Sequence, residues 1–201
     1  ITAVNGTEVS NATDLDGALA GLGGTVSVDL AGGETVTVER YPVVTRAVEG
    51  EYSNITFGGD TLPRIEAVNG TTVSSEGAFR EAVTDREVVR LQTDRGDQTV
   101  PIGAFVATAQ SGNALAESGA PTDTALIVTD IGGQRVVNAS ALGDVLDDFD
   151  AGEDVTVTAY VDGEPETYTV TLGEQDGEAY LGVELRGGYS GLVVDDFGID
   201  T

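Results

Sequence analysis

Apolar positions along this chain recur with two periods, and the periods alternate in the same order three times. Leu15, Ala18, Leu19 and Leu22 fall at helical spacing, as do Phe79, Ala82 and Val83, and then Leu142, Val145, Leu146 and Phe149. Three short helices, each with one apolar stripe, are therefore predicted. A small polar residue stands a few positions upstream of each stripe (Asn11, Ser75 and Asn138), where it can cap the helix start. After each helix the period drops to two. Val26 and Val28, then Gly32 and Gly33, then Val36 and Val38 read as a hairpin, and Val155–Val161, Asp162 and Gly163, then Thr167–Leu172 repeat that grammar. A weaker version runs through Val89, Leu91, Gly96, Val100 and Ile102.

The repetition extends to letters. ITAVNGTEV at Ile1–Val9 returns as IEAVNGTTV at Ile65–Val73, and IVTDIGGQRV at Ile127–Val136 places Ile131, Gly132 and Gly133 where the second copy has Val68, Asn69 and Gly70. Each copy is a strand and a tight turn leading into the helix, so the chain is built from repeated units. Only the third copy has a clear front half: IGAFVATA (Ile102–Ala109) reads as a glycine loop opening into a strand, and GNALAESGAP (Gly112–Pro121) as a short helix ending at Gly119.

Composition narrows the chemistry. Of 201 residues 35 are Asp or Glu against nine cations, giving a formal net charge of −26. All nine cations are Arg. Hydrophobic residues make up 40% in regular patterns, so the acid reads as the solvated surface of a folded protein suited to high salt rather than as disorder. Nucleic acid is excluded as a partner by that charge. With neither Cys nor His, thiolate and imidazole metal ligands are missing, and no Ser/His or Cys/His pair can form. The Asp147, Asp148, Asp150, Glu153 and Asp154 run lacks the spacing of a calcium loop and reads as a solvated helix end. Asn5, Asn11, Asn54, Asn69 and Asn138 begin N-x-Ser/Thr sequons, and four of them are repeat copies at turns and helix starts.

The order of glycine loop, strand, short helix, strand, Gly turn, helix and hairpin resembles a PDZ domain of the prokaryotic, protease-associated kind. Several such units in an acidic chain, closed by AYLGV (Ala179–Val183) and SGLVVDDFG (Ser190–Gly198), resemble the soluble insert of a haloarchaeal site-2 protease, a membrane-embedded zinc metalloprotease. The resemblance implies an α+β fold of tandem PDZ-like units, each a strongly bent antiparallel sheet with about two helices. The expected spans are a back-half unit over 1–41, a unit with a shortened front over 42–101, a complete unit over 102–175, and an extension over 176–201 leading towards the membrane part. FGGDTLPRIEAVNG (Phe57–Gly70) carries the match in the second unit, whose Val43–Thr56 lacks a glycine loop.

The implied function is recognition or size filtering of peptide or protein substrates. No catalytic or metal residue is expected here. Zinc and its H-E-x-x-H motif belong to the parent protease, and the LDG string at Leu15–Gly17 reads as part of an amphipathic helix rather than as a metal motif. The expected setting is the cell membrane, between transmembrane segments on the extracytoplasmic face, with the membrane-embedded remainder as a partner. The rivals are a freestanding cell-surface binding protein and the regulatory part of an HtrA-like serine protease. The candidate peptide site is the loop and strand of Ile102, Gly103, Ala104, Phe105, Val106 and Ala107. Its N–H groups would meet a free C-terminal carboxylate, the strand edge Val106–Ala109 would accept the peptide, and Leu142, Val145 and Leu146 would line the pocket.

Overall fold

A computed structural model describes residues 1–20, 22–47 and 62–196. Asn54, most of Val43–Thr56, the Phe57–Thr61 part of the Phe57–Gly70 segment, and the end of Ser190–Gly198 lie outside the described residues. The first unit comprises β1 (Ala3–Val4), β2 (Thr7–Glu8), α1 (Ala12–Leu19), β3 (Gly24–Asp29) and β4 (Thr35–Arg40). Its sheet order is β2-β1-β3-β4. After β5 (Pro42–Ala47), the second repeats the pattern with β6 (Ile65–Val68), β7 (Thr71–Thr72), α2 (Glu76–Thr84), β8 (Val88–Thr93) and β9 (Gly96–Pro101), in the order β7-β6-β8-β9.

The third unit opens with β10 (Ala104–Ala109) and the short α3 (Ala114–Glu117). Then come β11 (Leu126–Ile131), β12 (Gln134–Arg135), α4 (Ala139–Leu146), β13 (Asp154–Val161) and β14 (Glu164–Thr171). A hairpin of β15 (Gly173–Gln175) and β16 (Glu178–Tyr180) follows, then β17 (Val183–Arg186) and β18 (Leu192–Asp196). Every ladder is antiparallel.

Local chemistry sets these elements as the periodicity predicts. Asn11 Oδ1 accepts from Asp14 N–H, Ser75 Oγ from Ala78 N–H and Asn138 Oδ1 from Ala141 N–H, at 2.9, 3.1 and 2.9 Å, so all three expected caps form. Asn5 and Asn69 have φ of 46° and 51°, followed by Gly6 and Gly70 at 79° and 81°. That is the two-residue hairpin turn whose twist matches its strands. The same two asparagines accept from Ser27 and Arg90 N–H at 2.8 Å, tying the turn to the next strand. The repeated Asn-Gly is thus structural.

Within the span 176–201 expected as an extension, β17 and β18 pair back onto strands of the two larger units. β17 pairs with β10 (Phe105 opposite Arg186, Ala109 opposite Val183), making the third sheet β14-β13-β11-β10-β17 with β12 on β11. β18 pairs with β5, and an isolated bridge from Val43 to Arg64, just before β6, sets that two-stranded sheet beside the β7-β6-β8-β9 sheet, so the second unit's strands follow one another as β18-β5 and then β6-β8-β9. The two units have the same strand roles in the same order, and the third lies in the chain between β9 and β18 of the second. Tyr189, Leu192 and Val194 accordingly join Val44, Ile65, Phe79, Val83 and Leu91 in one core. The Tyr189 ring meets Phe79 edge-on at 5.3 Å.

The two passages between these units are stapled where they cross. Gly103 N–H donates to Ser190 Oγ at 3.1 Å, Ser190 N–H donates to the Gly103 carbonyl at 2.8 Å, and the Ser190 hydroxyl donates to the Pro101 carbonyl. Arg135 of β12 donates to the carbonyls of Thr129 in its own unit, of Arg86 in the second and of Ile102 at the junction. Desolvation lowers the Arg135 pKa, opposed by the charges of Glu87 and Asp130. Two helices per unit were expected; among the described residues the first two units have one each, and only the third adds a second, α3. No helix among the described residues is long and apolar enough to cross a membrane. No group of three or more Asp or Glu among them is placed to hold a metal ion.

Candidate functional site

The sequence pointed to Ile102–Ala107 as a peptide cradle, and the structure puts these residues to other uses. Ile102 is fully buried in the second unit's core. Gly103 is a close-approach glycine, since a Cβ there would stand 2.2 Å from the Val128 carbonyl oxygen. Its N–H and C=O are both taken by Ser190. Ala104, Phe105 and Val106 are buried in β10, which has β11 on one side and β17 on the other. Ala107 is the extra residue of a bulge between Val106 and Thr108. The edge Val106–Ala109, expected to be open, is occupied by β17. Leu142, Val145 and Leu146 face the third core from α4 and are at most 9% exposed.

The outer strand of this sheet is β17, and the loop before it has the properties sought at Gly103. Gly182 has φ of 77°, and both Leu181 and Gly182 are buried. The Leu181 carbonyl accepts from Leu115 N–H at 3.1 Å and the Gly182 carbonyl from Gln110 N–H at 3.0 Å. Peptide planes are trans, so the N–H sharing each plane points the opposite way. The N–H groups of Gly182 and Val183 are thereby aimed away from α3 and β10, towards the outer edge. Among the described residues no backbone carbonyl accepts from the N–H of Leu181 or Gly182. A buried N–H needs an acceptor, and a left-handed glycine that turns successive N–H groups to one side makes an anion-binding concavity.

β17 continues this edge. The Gln110-to-Gly182 bond makes Ala109 opposite Val183 a non-hydrogen-bonded pair, so the N–H and C=O of Val183 both face outward. Val183 and Leu185 turn their side chains against the cluster holding Leu142, Val145 and Leu146, while Glu184 and Arg186 are exposed on the other face. Just past β17, the Gly188 carbonyl accepts from Ala139 N–H at the first turn of α4. The strand edge and the helix therefore flank one apolar strip, with the Gly182 loop at its far end.

The second unit has a matching but closed arrangement. Tyr189-Ser190-Gly191-Leu192 leads into β18 as Tyr180-Leu181-Gly182-Val183 leads into β17, and Asp196 Oδ1 at the end of β18 accepts from Glu76 N–H at the start of α2. Here the loop is consumed by the staple: Ser190 N–H and Oγ are bonded to Gly103, and Tyr189 fills the space against Phe79. The shared Tyr-x-Gly-apolar string was the sequence signal that would have located both loops.

Known proteins give a distant likeness. The chain is similar to the crystal structure of the PDZ domain of the SdrC-like protein from Listeria monocytogenes, at 16% identity and a TM-score of 0.37, over 44% of this chain and 92% of that one. No family model and no curated protein matches the chain.

Two cavities lie away from the β17 edge. One of about 270 Å³ separates β3 and β4 from β6 and β7. In it the Arg64 guanidinium stacks over Tyr41 at 4.8 Å and pairs with Glu66, whose hydrogen bond raises the Arg64 pKa. Arg40, which also lines it, donates to the carbonyls of Leu19 at the end of α1 and of Leu22 beyond it. The other, of about 210 Å³, lies among Ile1, Val9, Asn11 and Leu15.

Proposed function

We propose that the chain is a tandem of PDZ-like recognition units, and that the third binds the free C-terminal end of an extended peptide along the outer edge of β17. The peptide's carboxylate sits at the N-terminal end of β17 on the N–H groups of Gly182 and Val183. Its backbone pairs antiparallel with Val183 and Leu185, and its last side chain enters the apolar strip beside Leu142, Val145 and Leu146. This is strand addition with carboxylate capture by backbone donors. One observation carries it: the N–H of the buried Gly182 and that of Val183, the first residue of β17, both face an outer edge that pairs with no other strand among the described residues and lies beside a helix. Backbone donors at short range bind a carboxylate even on a chain of charge −26 once salt is high, because the Debye length falls to about 3 Å at 1 M.

The wider setting follows the resemblance in repeat order and flanking strings: a substrate-recognition or filtering insert of a haloarchaeal membrane-embedded zinc protease, on the extracytoplasmic face. The residues here do not fit zinc, for want of any His or Cys, so hydrolysis belongs to another part of such a parent. The test is fluorescence anisotropy in about 1 M KCl with labelled peptides ending in Val, Leu or Phe, each with a free and an amidated C-terminus. Saturable binding that weakens at least tenfold on amidation supports the reading, the loss of charge-assisted hydrogen bonds being worth about 1.5–3 kcal/mol. Equal affinity for both forms overturns it.

A further inference from the structure

The alternation of β17 carries a consequence for which peptides fit, resting on the reading of its edge just given. A peptide whose carboxylate lies on the Gly182 loop and whose backbone runs antiparallel to β17 has a fixed register. Its last residue lies opposite Val183, the penultimate opposite Glu184, the third from the end opposite Leu185, and the fourth opposite Arg186. Directly opposed residues of an antiparallel pair put their side chains on the same face. The last and third-from-last therefore point into the apolar strip with Val183 and Leu185, and the penultimate and fourth point outward with Glu184 and Arg186.

That outward face carries one acid and one base in a defined order. Glu184 and Arg186 are 48% and 50% exposed and pair with each other at 2.7 Å. Their opposite residues on β10, Thr108 and Phe105, carry no charge. An exposed pair of this kind is weak, so exchanging it for two cross-strand pairs costs little. We infer that this unit selects C-termini bearing a cation at the penultimate position and an acid at the fourth from the end, read by Glu184 and Arg186 respectively. The order matters as much as the composition. The reversed peptide sets acid against Glu184 and cation against Arg186, and like charges directly opposed are unfavourable by amounts similar to those that opposite charges gain.

The experiment uses two isomeric ten-residue peptides that share their first six residues and end in Glu-Ala-Lys-Val or Lys-Ala-Glu-Val. Their net charge is identical, so the field of the whole protein cancels from the comparison. Dissociation constants are measured on the unaltered chain and on the double variant Glu184→Arg, Arg186→Glu, whose side chains lie on the surface. The expected result is a preference for Glu-Ala-Lys-Val of about three- to tenfold, inverted in the double variant. Equal binding of the two isomers, or a preference that the double variant leaves unmoved, overturns the charge register while leaving the groove standing. Failure of both peptides to bind overturns the groove itself and this inference with it.

Discussion

Shortening Leu192 to Ala tests whether the far end of the chain is part of the second unit's core. Leu192 is 1% exposed and lies in a cluster with Ile65, Phe79 and Leu91, whose other residues from the same chain end are Tyr189 and Val194. Removing a fully buried Leu side chain to Cβ costs 2–5 kcal/mol, depending on how far the site collapses. Here β18 is held on one side by the β5 ladder and the Thr45 hydroxyl bond to Asp195, which limits collapse and places the expected cost at about 3 kcal/mol. Hydrogen exchange read by mass spectrometry resolves it by unit. Amides of Ile65–Val68 and Val88–Thr93 should lose protection by about 100-fold, at 1.4 kcal/mol per factor of ten, while those of Leu126–Ile131 and Asp154–Val161 stay within a few-fold. Protection unchanged in β6 and β8, or lost equally in β11 and β13, would refute the assignment of β18 to the second unit.

Other expectations follow from the same geometry. Gly103→Ala should destabilise the fold by about 3 kcal/mol in urea denaturation, because its Cβ would meet the Val128 carbonyl oxygen at 2.2 Å and neither backbone can yield cheaply; a neutral result would mean that β10 and β11 are further apart there. Asn138→Ala should cost about 1 kcal/mol through loss of the α4 cap, read in the same denaturation and rescued by Asp or Ser. The melting midpoint should rise markedly between about 0.1 M and 2 M KCl as self-repulsion at charge −26 is screened, and a midpoint indifferent to salt would show the acids too dispersed to matter.

Periodicity made the local structure legible. The helices around Leu15, Phe79 and Leu142, their caps, and the Asn-Gly, Gly-Gly and Asp-Gly turns fall where the pattern put them, because each depends on residues a few positions apart, although α1 and α4 stop at Leu19 and Leu146, short of Leu22 and Phe149 in the predicted stripes. What the pattern could not convey was pairing across the chain. β17 and β18 are short and punctuated by glycines, and their partners β10 and β5 lie far upstream, so nothing local distinguishes them from a tail. The candidate site shifted for the same reason. Ile102-Gly103 and Leu181-Gly182 present the same apolar-Gly string, and only the tertiary fold decides that Ser190 consumes the first while the second opens on an edge.

The central claim is that the β17 edge, and not Gly103–Phe105, receives a peptide's free end. An NMR titration in about 1 M KCl, with a Val-ended peptide and its amidated twin, tests it most directly. The amides of Gly182, Val183 and Leu185 and those along α4 should shift with the free acid and respond at least tenfold more weakly to the amide, with Gly103–Phe105 unmoved. Shifts centred on Gly103–Phe105 or on β18, or an equal response to both peptides, would contradict the account.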